Sequence, residues 1–271
     1  MQNTEGIHKR LVNGKVVSKT QVATGHFQIS VLCPHIARNT APGQFIQVRV
    51  NGSLYDPLLS RPFAVYKAKG DVVDILFKVV GKGTSLLAEK CAGDTVDILG
   101  PLGNGFPIDD GFQRAMLIAG GMGIAALMSL AEAVKGREIA ALIGASTQSK
   151  IVGRDDLLAL GAEVHVATED GTAGQKGMVS ELMEDVILTK KCPIAGCRIF
   201  ACGPNPMLKA ISRLATRYEM PIYVSLEERM ACGVGACLGC VCEVASSGDD
   251  NQYKTVCVDG PVFNAQEIVW K

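Results

Sequence analysis

Four cysteines crowd into eleven residues within the stretch ACGVGACLGCVCEV, Ala231 to Val244. Cys232, Cys237 and Cys240 are spaced C-x4-C-x2-C, and Cys257 follows after sixteen further residues, in YKTVCVDGP. Soft thiolates at this spacing suit a [2Fe–2S] cluster, with three ligands from one loop and the fourth from a later segment. Gly233, Gly235 and Gly239 let such a loop take unusual dihedrals and turn N–H groups towards the sulfurs. Zinc is the competing metal, although its structural sites usually use two paired C-x2–4-C knuckles and only one such pair is present. Cys242 competes with Cys257 for the fourth place. It lies two residues beyond Cys240, leaving little chain to wrap two irons. GCVCEVAS and QYKTVCVD both have strand character around the turn-forming SGDDN, so a hairpin is expected to return Cys257 to the loop. Cys33, Cys91, Cys192 and Cys197 read as isolated small hydrophobes.

A second set of residues could hold a nucleotide. RAMLIAGGMGIAALMSLAEAV reads as an apolar strand, a glycine turn and an apolar helix, and Gly121 and Gly123 open a G-x-G-x-x-A run that ends at Ala126. Such glycines allow a pyrophosphate to approach the amino terminus of a helix. The ribose-binding acid expected about twenty residues later is missing, because the next strand, EIAALIGAST, ends in Ser146 and Thr147. No arginine stands beside them in sequence to take a 2′-phosphate, which favours NAD over NADP. Glu169-Asp170-Gly171 and Cys202-Gly203-Pro204 follow two further strands; the bland reading makes all these glycines tight turns. Nearer the amino terminus, Gly81, Gly83, Thr84 and Ser85 in KVVGKGTSLL stand where a helix would begin, well suited to a phosphate. Arg61, in SRPFAVY, would by itself read as a solvated surface charge.

Three frames must position these groups. Residues 1–110 carry short alternating runs, FQISVLC, GQFIQVRV, DVVDILFKVV and DTVDILGP, broken by glycine and proline, which predicts a small antiparallel β-barrel. Over 111–222 strand and helix alternate, which predicts an α/β domain with a parallel sheet, helices on both faces and ligand groups at the carboxyl ends of the strands. Residues 223–271 form a small C-terminal domain around the cysteines. A chain of 271 residues accommodates two ordinary domains and one short appendage. Hydrophobic residues make up 48% and charged residues 20%, enough to bury real cores. The 27 basic and 27 acidic residues cancel without forming a basic stripe, which argues against nucleic acid as a partner. The start, MQNTEGIHKR, lacks the apolar core of a signal peptide, so a cytoplasmic location is expected, with the ten cysteines as thiols or ligands rather than disulfides. Ala115–Ala131 is uncharged, but it is too short and glycine-rich for a membrane span.

A barrel bearing R-P-x-[ST], followed by a glycine-rich nucleotide domain with C-G-P-x-x-M, resembles the ferredoxin-reductase family, which binds FAD on the barrel and a nicotinamide nucleotide on the second domain. With CGVGACLGC and VCVDGPVF added, the whole chain is similar to the electron-transfer subunits of the NAD-dependent bacterial dihydroorotate dehydrogenases of pyrimidine biosynthesis. The resemblance implies FAD contacts from Arg61, Pro62, Phe63 and Ala64 and from Leu76, Phe77 and Lys78, with the pyrophosphate held at Gly83 and Thr84. It matches the [2Fe–2S] ligands to Cys232, Cys237, Cys240 and Cys257, while the strand-end reading above puts the nicotinamide nucleotide at Gly121, Gly123, Cys202 and Gly203. It further implies an FMN-containing catalytic partner subunit in a heterotetramer. Ala64 departs from the family's hydroxyl residue, and Ala126 stands where proline is common. A flavin between a nicotinamide that passes hydride and a cluster that passes single electrons makes redox sense. No base for dihydroorotate and no TIM barrel are visible, so that chemistry is expected in the partner. The other readings are a flavin subunit of an NADH-dependent ferredoxin:NADP or sulfide dehydrogenase type, and a zinc-stabilised nucleotide-binding regulator.

Overall fold

The structure is a computed structural model that describes residues 9–50, 56–189, 194–245 and 252–271. Cys192 and the SGDDN turn lie outside the described residues.

Seven amino-terminal strands form one antiparallel sheet: β1 (Arg10–Ala23), β2 (His26–Leu32), β3 (Phe45–Arg49), β4 (Arg61–Ala64), β5 (Lys67–Lys69), β6 (Val72–Lys78) and β7 (Thr95–Leu102), in the order β4-β3-β7-β1-β2-β6-β5. Alternation turns Ile29, Val31, Ile46, Val48, Val73, Ile75 and Ile98 into a shared interior. The sheet curls until Phe63 on β4 meets Phe77 on β6, ring centroids 5.9 Å apart, so it is a barrel with one unbonded seam. Two helices accompany it, α1 (Pro34–Asn39) and α2 (Lys82–Glu89).

The second sheet is built from β8 (Arg114–Gly120), β9 (Glu138–Ala145), β10 (Glu163–Thr168), β11 (Gln175–Lys176), β12 (Cys197–Cys202) and β13 (Ile222–Ser225), all parallel. The near-continuous apolar runs of β8, β9 and β12 are what a sheet covered on both faces requires. One face buries Leu117, Phe200 and Ile143 beneath α3 (Ile124–Ala133) and α4 (Arg154–Ala159); the other buries Met116, Ile118 and Ile199 beneath α5 (Val179–Leu188) and α6 (Asn205–Arg217). The apolar stretch Ala115–Ala131 is thereby a strand, a turn and a helix, and no described helix is long and apolar enough to cross a membrane.

The strand order is β11-β10-β9-β8-β12-β13, so the chain leaves β8 in opposite directions and creates a switch point between β8 and β12. The last segment adds the hairpin β14 (Val241–Val244) and β15 (Gln252–Thr255), then β16 (Val262–Asn264), which joins the edge of the parallel sheet antiparallel to β13. The cysteine lobe thus shares a core with that sheet: Cys240, Val256 and Cys257 pack with Phe45, Leu102 and Phe263. It is tied to the barrel as well, because the Asn104 amide donates to the carbonyls of Val258 (3.1 Å) and Asp259 (2.9 Å).

Candidate functional site

At the amino end of α2, Thr84 is buried, and its hydroxyl accepts from the N–H groups of Val80 (2.9 Å) and Gly81 (3.1 Å). This side chain shapes the turn from which α2 starts, and a helix amino terminus carries the positive end of the backbone dipole. The Arg61 guanidinium lies against Gly83 so closely that an ideal Cβ there would stand 2.5 Å from Nε. A cation and a helix amino terminus therefore converge, which is the electrostatics a pyrophosphate needs.

One cleft of about 470 Å³ runs from this turn to the switch point of the parallel sheet. Its barrel wall is Arg61, Pro62, Phe63, Ala64, Leu76, Phe77, Lys78, Gly83 and Thr84; its opposite wall includes Met122, Cys202 and the segment Ser225–Glu228. All nine barrel positions named from the sequence are brought together, and Cys202 joins them. Gly121, Gly123 and Gly203 are not among the lining residues of the cleft, although Gly121 and Gly123 adjoin Met122 in the chain and Gly203 follows Cys202. Gly123 presses on the turn after β12: a Cβ there would fall 1.9 Å from the Cys202 carbonyl oxygen, so only glycine fits. At the end of β9, Lys150 Nζ donates to Ser146 Oγ at 2.8 Å, a cation that spacing alone did not suggest.

The sequence reading missed Ser225 and Glu227. Ser225 sits opposite Cys202 in the β12–β13 register, and the Cys202 thiol lies 3.9 Å from Glu227 Oε1. Burial pushes the Cys202 thiol far up, reinforced by the Glu227 carboxylate, so it remains a neutral thiol. Burial of its carboxyl against the cleft wall also raises Glu227. The usable signal was the rule that ligands gather at strand carboxyl ends, which applies to β13 as well as to β8 and β12.

The cysteines form two pairs. Cys232 Sγ accepts from the N–H groups of Val234 and Cys237, both at 3.4 Å, and is in contact with the Cys237 side chain. Those backbone donors, Val234 first, lower Cys232 to about 6, which favours thiolate. The buried Cys257 thiol is hydrogen-bonded to Cys240 and, mainly through burial, is raised to about 11. β14 and β15 do pair, Cys242 opposite Lys254, so the hairpin carries Cys257 back to the loop while Cys242 packs into the lobe's apolar core. Burial raises Cys242 to about 11. Among the described residues no three His, Cys, Asp or Glu side chains converge on one point as a single ion would need. Two thiol pairs with N–H donors to sulfur fit a two-iron cluster, each iron taking two thiolates, better than one zinc. Cys33 and Cys197 are buried in the core and Cys91 is exposed.

A curled antiparallel sheet carrying an arginine and helix-terminus cleft, set against a parallel sheet with its switch point at the same cleft, defines a ferredoxin-reductase-like protein with an iron–sulfur lobe at its end. Residues 117–213 match the oxidoreductase NAD-binding domain, and residues 227–269 match the iron–sulfur cluster binding domain of dihydroorotate dehydrogenase B. The chain belongs to the family of electron transfer subunits of dihydroorotate dehydrogenase B (NAD(+)). It is 41% identical to the subunit from Bacillus caldolyticus, covering 94% of this chain and 96% of the relative, and 37% identical to that of Desulforamulus reducens, covering 97% and 99%. It is also similar to a solved NADH-dependent reduced ferredoxin-NADP oxidoreductase structure, at 32% identity and TM-score 0.82 over 95% of this chain and 90% of the other. A ferredoxin NADP+ reductase from Neisseria gonorrhoeae shares the fold, at 17% identity and TM-score 0.66 over 78% and 92%.

Proposed function

We propose that this chain is the electron-transfer subunit of an NAD-dependent dihydroorotate dehydrogenase, conducting electrons from a catalytic partner through a [2Fe–2S] cluster and FAD to NAD. The observation that carries this reading is the cleft shared by the barrel residues and the switch point, with the Cys240 and Cys257 pair packed in the same core as Phe45 of its wall. FAD supplies the conversion between hydride transfer and single-electron transfer.

In this reading Arg61 and the first turn of α2 hold the pyrophosphate, while Pro62 to Ala64 and Leu76 to Lys78 bed the ring. Gly121, Gly123, Cys202 and Gly203 admit the nicotinamide nucleotide, and the neutral Cys202 thiol with Glu227 borders its reacting end. Cys232 with Cys237 and Cys240 with Cys257 hold the cluster. The working division is 1–110 for flavin, 111–222 for NAD and 223–271 for the cluster. Dihydroorotate chemistry belongs to an FMN-containing partner in a cytoplasmic heterotetramer.

Purification from native cells tests this reading. A visible spectrum with flavin and cluster bands, together with a copurifying dihydroorotate-oxidising chain, is expected; a colourless protein ends it. A second reading draws on the similarity to the NADH-dependent reduced ferredoxin-NADP oxidoreductase. Copurification with a different partner and a strong NADPH preference would favour it.

A further inference from the structure

Gln47 is 2% exposed, and among the described residues neither Nε2 nor Oε1 of its side chain has a hydrogen-bond partner. Buried amides are almost always paired, so an orphan carboxamide marks a missing neighbour. Its direction is set by β3. Ile46 and Val48 face the barrel core, whereas Phe45, on the other side of the strand, enters the core that contains Cys240 and Cys257. Gln47 shares the Phe45 side by strand alternation. It meets the cysteine loop there: an ideal Cβ on Gly233, the residue after Cys232, would stand 2.8 Å from Gln47 Cγ and 3.0 Å from Nε2. Gly233 has φ +71°, so both its backbone and this close approach call for glycine.

We propose that the Gln47 carboxamide is a hydrogen-bond donor to a sulfur of the cluster held by Cys232, Cys237, Cys240 and Cys257, and that it sets the cluster's reduction potential from the barrel side. The inference rests on the cluster reading given above. The donors already seen on Cys232 come from the loop itself, Val234 and Cys237; Gln47 adds one from a different element. A reduced cluster carries one more negative charge than an oxidised one, so a donor to sulfur favours the reduced form and raises the potential. β3 also walls the flavin cleft through Phe45, and Gln47 lies opposite Pro62 in the β3–β4 register, so one strand serves both redox sites.

The test uses the holoprotein labelled with 15N in its glutamine side-chain amides, reduced and examined by pulsed electron paramagnetic resonance. Coupling of the cluster spin to an amide 15N and its exchangeable protons is expected. Gln44, the other buried glutamine of the barrel, is already bound to Ala41 and Gly103 and does not compete. Gln47→Leu should lose that coupling and titrate at a more negative potential, with iron, sulfide and flavin content unchanged. An intact wild-type cluster without 15N coupling overturns the proposal, and so does a fully loaded Gln47→Leu protein with an unshifted potential. If Gln47→Leu fails to assemble, the wild-type coupling alone decides. A holoprotein without iron would sink the cluster reading itself and this inference with it, an outcome distinct from an intact cluster that ignores Gln47.

Discussion

Cys257 and Cys242 have the same side chain and similarly raised thiols, yet their surroundings differ. Cys257 contacts Cys240, whereas Cys242 faces apolar neighbours on the first strand of the hairpin. Changing Cys257 to serine should abolish or strongly distort the cluster, because a hard, weakly acidic oxygen replaces a thiolate. Cys242→Ser should keep full iron and acid-labile sulfide, at a cost of about 1–3 kcal/mol for a hydroxyl in a poorly paired site. Iron analysis and the electron paramagnetic resonance signal check both; a normal cluster in Cys257→Ser with loss in Cys242→Ser would reverse the assignment. Arg61 is equally separable from the cysteines. Hydrogen bonds to charged groups contribute about 1.5–3 kcal/mol, so Arg61→Ala should weaken FAD retention by about ten- to a hundredfold. Its iron content should stay near that of the wild type, and iron loss with flavin still bound would contradict the placement of FAD on the barrel.

Between elements, the barrel and the parallel sheet are joined by a polar pin. The Tyr66 hydroxyl, buried beside β5, donates to Asp156 Oδ2 of α4 at 2.5 Å, and Lys67 Nζ lies 2.7 Å from Oδ1. Burial works against the Asp156 carboxylate, but Lys67 and Tyr66 outweigh it and hold the carboxyl below its usual range. A carboxylate whose folded pKa is depressed stabilises the fold above its unfolded value, about 3.9, and that contribution is lost as pH falls through the folded value. Wild type should therefore melt above Asp156→Asn by a constant margin from neutral pH down to about pH 4, with the margin shrinking under stronger acid. Thermal unfolding over a pH series checks this; a margin that persists undiminished in acid would show that the pin acts through packing instead.

The whole molecule places a parallel sheet, an antiparallel barrel and a cysteine lobe around shared cores, and the curated relatives it matches are named as electron transfer subunits. The purified chain with its cofactors should pass electrons from NADH to an artificial acceptor and leave dihydroorotate untouched until the catalytic partner is added. Dihydroorotate oxidation by the chain alone would place the catalytic site here after all. Comparing kcat/KM for NADH and NADPH tests nucleotide choice. The expected preference is for NADH, and Lys150 beside Ser146 supplies the cation that would be responsible if NADPH competed.

The sequence by itself determined the chemistry that depends on spacing. C-x4-C-x2-C with a later cysteine, glycines at the β8 turn and after β12, and the change from alternating to continuous apolar runs are all local, so the return of Cys257 to the cysteine loop, the tight turns at the strand ends and the two kinds of sheet were legible. Only the tertiary structure decided how these pieces meet. That β16 leaves the cysteine lobe to extend the nucleotide sheet depends on pairing with β13, distant in sequence. That Thr84 is occupied in shaping its own turn, that Glu227 stands by Cys202, and that Gln47 on the barrel presses on Gly233 depend likewise on where separate strands come to rest. Such contacts arise from burying apolar faces against one another, and the residues flanking each position carry no periodic trace of what will be packed against it.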